Sequence, residues 1–222
     1  MGKKCLMVTV VMGILLTVFC IGKTVDTCPE SGVSEGVGVD RKPVIYLYPE
    51  EDDTEVFVTL DYDGNLVELD PEFNIDNGWK VTADRDGTIT FEGEKYDYLY
   101  WEGDPRHNYN FFSGFCVRGE ETEAFLKEKL TEIGLNEKER AEFIEYWMPQ
   151  MAGNEYNVIS FQGSAYTKGA KLNIEPKPDT IIRVFMAWYP SDRYVGLNPQ
   201  YLDEFDREGF TVVEWGGNRV RK

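Results

Sequence analysis

The run Ile181–Trp188, IIRVFMAW, is apolar at odd and even positions alike, broken only by Arg183. A strand with one solvated face alternates polar and apolar residues, so a strand without a polar face belongs in the middle of a covered sheet. The chain must therefore build a sheet wide enough to flank this run. A lone arginine inside it needs a partner if it is buried, and Glu102 or Glu145 could supply the carboxylate. Other β-prone runs are spread along the chain. Val44–Tyr48 lies between Pro43 and Pro49, followed by Val56–Leu60, Leu66–Leu69, Trp79–Ala83, Thr88–Phe91 and Tyr96–Trp101. Tyr156–Phe161, Lys171–Ile174 and Phe210–Trp215 follow later. The Asp-Gly steps 63–64 and 86–87 sit between consecutive runs and predict two hairpins, because type I′ turns need positive φ at both central residues. Neither step continues with the oxygen ligands and late glutamate of a calcium loop.

The middle of the chain changes period. Thr122–Ile133 carries Phe125, Leu126, Leu130 and Ile133 on one helical face, with Gly134 as a stop. Asn136 and Glu139 have the spacing of a capping pair. The helix they open is expected to bury Ala141, Ile144, Trp147 and Met148 and to end at Pro149. Residues 190–209 read as a polar excursion with a helical piece near Gln200–Phe205. The expected fold is α+β: mostly antiparallel β, in sandwich-like sheets, with an inserted helical hairpin. One β-rich domain over residues 41–222 is expected, with its helices near 120–149.

Before that domain, Lys3 and Lys4 precede an uncharged, proline-free run from Leu6 to Ile21. Its length falls between a signal-peptide core of about 7–15 residues and a membrane-spanning helix of about 20. Residues 1–22 are therefore either a signal peptide, with small residues at Cys20 and Gly22 for cleavage, or an N-terminal membrane anchor. The Gly-, Ser- and Glu-rich stretch 23–40 reads as a flexible linker. Both readings put the domain outside the cytoplasm, secreted or anchored in the cell membrane through residues 5–22. With 40 acidic against 23 basic side chains and a net charge of −17, the surface repels phosphate backbones, which argues against nucleic acid as a partner. In an oxidising compartment Cys28 and Cys116 are a candidate disulfide, although the apolar surroundings of Cys116 suit a buried free thiol equally.

No phosphate-binding loop, dinucleotide fingerprint, nucleophile elbow or HExxH is present, so no cofactor is expected. His107 is the only histidine, which argues against a metal site. In its polar loop it is a candidate general base. Glu102 follows Tyr100 and Trp101, and Glu145 precedes Tyr146 and Trp147. Paired carboxylates among aromatic rings are the equipment of glycoside hydrolysis, which makes Glu102, Glu145 and His107 candidate catalytic groups. Tyr100, Trp101 and Tyr146 are candidate stacking surfaces for a ligand, and Arg183 a candidate carboxylate clamp. The same aromatics fit a packed core equally well.

The phrases KPVIYLYP (42–49), YLYWEG (98–103), FIEYWMP (143–149) and GFTVVEWGG (209–217) together resemble a family of exported bacterial proteins of unassigned function. The resemblance covers residues 42–217 and implies a single β-rich domain outside the membrane, with no activity or ligand attached. The leading expectation is an exported binding domain for an extracytoplasmic ligand, either carbohydrate or protein. A carbohydrate hydrolase and a structural envelope protein are the alternatives.

Overall fold

The computed structural model describes residues 38–221. The signal peptide or anchor expected at 1–22, most of the linker, and Cys28 lie outside the described residues. The strands, in chain order, are β1 (Arg41–Tyr48), β2 (Thr54–Tyr62), β3 (Gly64–Asp70), β4 (Gly78–Ala83), β5 (Ile89–Phe91), β6 (Glu94–Tyr96) and β7 (Leu99–Pro105). After β8 (Phe115–Arg118) come α1 (Thr122–Ile133) and α2 (Glu137–Met151). The chain then forms β9 (Tyr156–Phe161), α3 (Ser164–Gly169), β10 (Ala170–Glu175), β11 (Thr180–Ser191) and β12 (Thr211–Arg219).

These elements make a β-rich α+β fold with two sheets. One has seven strands in the order β3-β7-β1-β12-β11-β9-β8, and the other five, in the order β10-β2-β4-β5-β6. Neighbours run antiparallel except β11 and β12, which are parallel. The doubly apolar run is β11, inside the larger sheet as its pattern requires. Ile182, Val184, Met186 and Trp188 meet α1 and α2, whereas Phe185, Ala187 and Tyr189 join a cluster shared with the five-stranded sheet. All five tryptophans are buried to 1% exposure or less. At about 1.5–3 kcal/mol for each large apolar side chain buried, these packings are the main drive for folding.

The two Asp-Gly steps turn out differently. At Asp84–Thr88 the expected hairpin forms: β4 and β5 pair, and the Gly87 N–H donates to the Asp84 carbonyl at 2.9 Å. Only Gly87 has positive φ (+90°), so the turn is longer than a type I′ turn. At Asp63-Gly64 there is no hairpin, because β2 belongs to the five-stranded sheet and β3 to the other. Gly64 does not need its conformational freedom there. It is needed for close approach: a Cβ there would collide with the Tyr62 ring and the Asp104 carbonyl. The expected strand 96–101 likewise divides between β6 and β7 in different sheets.

The helix boundaries largely hold, and one face is rotated. Gly134 adopts φ +110° at the end of α1, and Asn136 and Glu139 form a reciprocal capping box. In α2 the buried face is Glu139, Phe143, Trp147 and Met151. Ala141 is exposed, and Pro149 lies inside the helix on its exposed side. The shift follows from the cap: burying Glu139 fixes an i, i+4 row that the apolar pattern alone missed. Residues 200–205 form no helix, whereas β8 and α3 arise where none was expected.

Candidate functional site

The sequence-predicted residues divide between the two faces of the seven-stranded sheet. On the helix-covered face, a bulge in β1 between Arg41 and Val44 leaves Lys42 at φ +56°, a strained left-handed conformation for a residue with a Cβ. The bulge aims two donors at Glu102. The Arg41 guanidinium pairs with its Oε2, and the Lys42 N–H donates to its Oε1 at 3.3 Å. Lys42 Nζ then enters a box of tyrosines, 4.7 Å from the Tyr98 centroid, 5.3 Å from Tyr100 and 5.9 Å from Tyr146. It also donates to the Tyr98 hydroxyl at 2.9 Å. Burial, followed by the hydrogen bond and charge of Glu102, pushes the Tyr100 phenol well above its ordinary pKa.

A depression of about 430 Å³ opens beside this box, lined by Lys42, Asp97, Tyr98, Glu142, Glu145 and Tyr146. Glu102 does not line it; it is 3% exposed beneath Arg41. Glu102 and Glu145 therefore do not face one open cleft, which paired-carboxylate hydrolysis requires. The rings of Tyr100 and Tyr146 share the cation of Lys42, so the box carries its own ligand.

Trp101 and Arg183 lie on the other face. Trp101 is fully buried, and its indole N–H donates to Glu214 Oε1 at 3.3 Å. Arg183 Nε donates to Glu214 Oε2 at 2.6 Å. Glu214, and neither Glu102 nor Glu145, is thus the partner that Arg183 needs. Burial alone lowers the Arg183 pKa, but the Glu214 carboxylate outweighs it and holds the group above its ordinary value. The guanidinium lies 5.0 Å over the Tyr166 ring, which stacks on Phe185 at 4.0 Å.

Close by, Asp40 is fully buried, inside the stretch expected to be linker. It accepts hydrogen bonds from the Tyr62 and Tyr109 hydroxyls, both at 2.8 Å, and from Asn218 Nδ2 at 2.9 Å. Burial outweighs these donors and raises its pKa to about 6. His107 stands edge-on to Tyr109 with both ring nitrogens buried and without hydrogen bonds among the described residues. Burial lowers its pKa, against a smaller opposing pull from Asp63. It lines neither the depression beside Glu145 nor the cleft described next.

Arg183 alone among the candidates reaches a second opening, a cleft of about 450 Å³. The N-terminal half of β11, the turn into α3 and residues 200–205 form its walls. Gln200 holds that last segment in place: its Oε1 accepts from the Phe161 N–H at 3.0 Å, and its Nε2 donates to the Phe161 carbonyl at 2.7 Å. Gln162, Ser164, Thr167 and Asp203 contribute polar atoms. At the rim, Tyr201 is 92% exposed, and Phe205 and Ile181 are each 38% exposed. Arg183 Nη2 is buried without a hydrogen-bond partner. The sequence marks Arg183 but not the rest of this cleft, whose far wall is signalled only by two aromatics, Tyr201 and Phe205, in an otherwise polar stretch.

Among the described residues, no three His, Cys, Asp or Glu side chains are grouped to hold a metal ion, and no helix is long and apolar enough to cross a membrane. Cys116 is half-buried, and its sulfur accepts the Val195 N–H at 3.2 Å.

The fold and its clefts define a β-rich α+β domain with no recognisable catalytic constellation among the described residues. Over 94 residues the chain is 55% identical to an uncharacterized protein in the bglA 3′ region of Butyrivibrio fibrisolvens, a match covering 42% of this chain and 95% of that protein. The chain belongs to the same family as that bacterial protein. No family model matches the sequence, and no solved structure matches the fold.

Proposed function

We propose that this chain is an exported binding domain, secreted or tethered to the membrane by its N-terminus, and that it takes a carbohydrate in the Arg183 cleft. In this reading the two sheets pack as a sandwich and hold the cleft rigid at one edge. The observation that carries the reading is the nearly naked Tyr201 ring beside an opening lined by Gln162, Asp203 and Arg183. A sugar ring offers an apolar face to an aromatic side chain and hydroxyls to amides and charged groups, so it matches this combination. Most other large aromatics are buried, and the Lys42 box is filled from within.

Binding is preferred to hydrolysis because Glu102 is held by Arg41 and the Lys42 N–H, away from the depression that Glu145 lines. A glycan array probed with the full-length protein tests the reading. At least one class of glycan should be retained, and Tyr201→Ala should lose it. A blank array, or retention that ignores Tyr201→Ala, counts against the cleft.

A further inference from the structure

A third opening, of about 610 Å³, lies where the described chain begins and ends, and it gathers Arg41, Arg219 and Arg221 with Trp147 and Gln150. We infer that it is a binding site for a tetrahedral oxyanion of the phosphate class, either free or as the headgroup of an anionic lipid.

What marks the cluster is convergence on a surface where acidic side chains outnumber basic ones 40 to 23. Arg219 and Arg221 make no ion pair among the described residues, and with Arg41 they line one concavity. Arg219 is set in position by the Trp188 ring, 5.4 Å from its guanidinium carbon, an arrangement that leaves its N–H edges free. Arg41 is anchored on one side by Glu102 and remains half exposed on the other. No Asp or Glu lines the opening.

One wall of the opening comes from α2. Trp147, 1% exposed, lines the same opening, and its indole N–H is buried without an acceptor. It can lie there because Gly217 has no side chain: a Cβ at that position would come within 2.7 Å of the Trp147 ring. A pocket that presents guanidinium edges while lacking carboxylates is matched by a ligand made only of acceptors. Guanidinium forks fit phosphate oxygens bidentately. The site is separate from the Arg183 cleft and does not depend on what that cleft binds.

The test compares the full-length protein with the double variant Arg219→Ala/Arg221→Ala, whose side chains are exposed and leave the core intact. Inorganic phosphate is titrated against tryptophan fluorescence, which Trp147 and Trp188 report from the site. Each protein is also sedimented with vesicles of neutral phosphatidylcholine, with and without anionic phosphatidylglycerol. Saturable phosphate binding, weakened about tenfold or more in the variant and by added salt, supports a free-phosphate site. Extra binding to anionic over neutral vesicles that the variant loses supports a headgroup site; attachment through residues 5–22 is common to both proteins and subtracts out. If native and variant proteins behave alike in both assays, the inference is overturned.

Discussion

The Lys42 box and the Arg183 cleft are both aromatic, and both lie against the seven-stranded sheet, but they differ in what their rings face. Tyr98, Tyr100 and Tyr146 face a lysine of their own chain. Tyr201 faces solvent, next to an arginine already tied to Glu214 on one edge. Aromatic density is therefore a poor guide to a binding site in this protein. What distinguishes a site is whether the faces and donors are already satisfied within the fold. By that measure the box is filled from within, and the cleft is the proposed surface for a ligand.

The largest expected effect comes from the buried pair that backs the cleft. Glu214→Ala strips Arg183 of its partner and Trp101 of its acceptor. Leaving a buried charge unpaired costs about 3–5 kcal/mol, so urea denaturation should show a large loss of stability. A loss below about 1 kcal/mol would mean that Arg183 finds water through the cleft, which would make the cleft wetter than described.

Next in size is a pH effect from Asp40. Its carboxyl is raised from 3.8 to about 6 in the folded protein. The folded state therefore holds a proton that the unfolded chain releases. This contribution to stability is fully present below about pH 4 and is lost as pH rises through about 6. A gap of about two units at about 1.4 kcal/mol each makes it about 3 kcal/mol. Denaturation midpoints of the native protein minus those of Asp40→Asn should fall across that window. A flat difference would mean that the three donors to Asp40 dominate its burial.

A smaller effect separates the two aromatic regions. Lys42→Ala removes the cation from the box and the bond to Tyr98, at a cost of about 1–2 kcal/mol, and it should leave glycan retention unchanged. Tyr201→Ala should do the reverse, with stability within about 0.5 kcal/mol and retention lost. Finding both effects in one variant would erase the distinction between scaffold and site.

Much of the fold was legible because local chemistry determined it. Asn136 and Glu139 mark the cap of α2, Gly134 the end of α1, and the doubly apolar β11 its own interior place. What escaped was non-local. Nothing near Asp63-Gly64 signals that β2 and β3 part into different sheets, since Gly64 answers to the Tyr62 ring and the Asp104 backbone. The face of α2 was misread because a glutamate, Glu139, is buried there against Arg207 (2.8 Å). Glu214 was invisible as the partner of Arg183, because only the parallel register of β11 and β12 sets the two side by side. The Arg183 cleft needed Gln200 to bring a distant loop back against Phe161. A sequence pattern records which residues want burial, but not which distant residue will satisfy them.

The most direct test of the distinction is a titration of Tyr201→Ala, Tyr98→Ala and the native protein with one retained glycan, followed by isothermal calorimetry. If the cleft is the site, Tyr98→Ala matches the native affinity and Tyr201→Ala is weaker by tenfold or more, about 1.4 kcal/mol. If Tyr98→Ala loses the glycan while Tyr201→Ala keeps it, the box is the site and the assignment of scaffold and ligand surface is reversed.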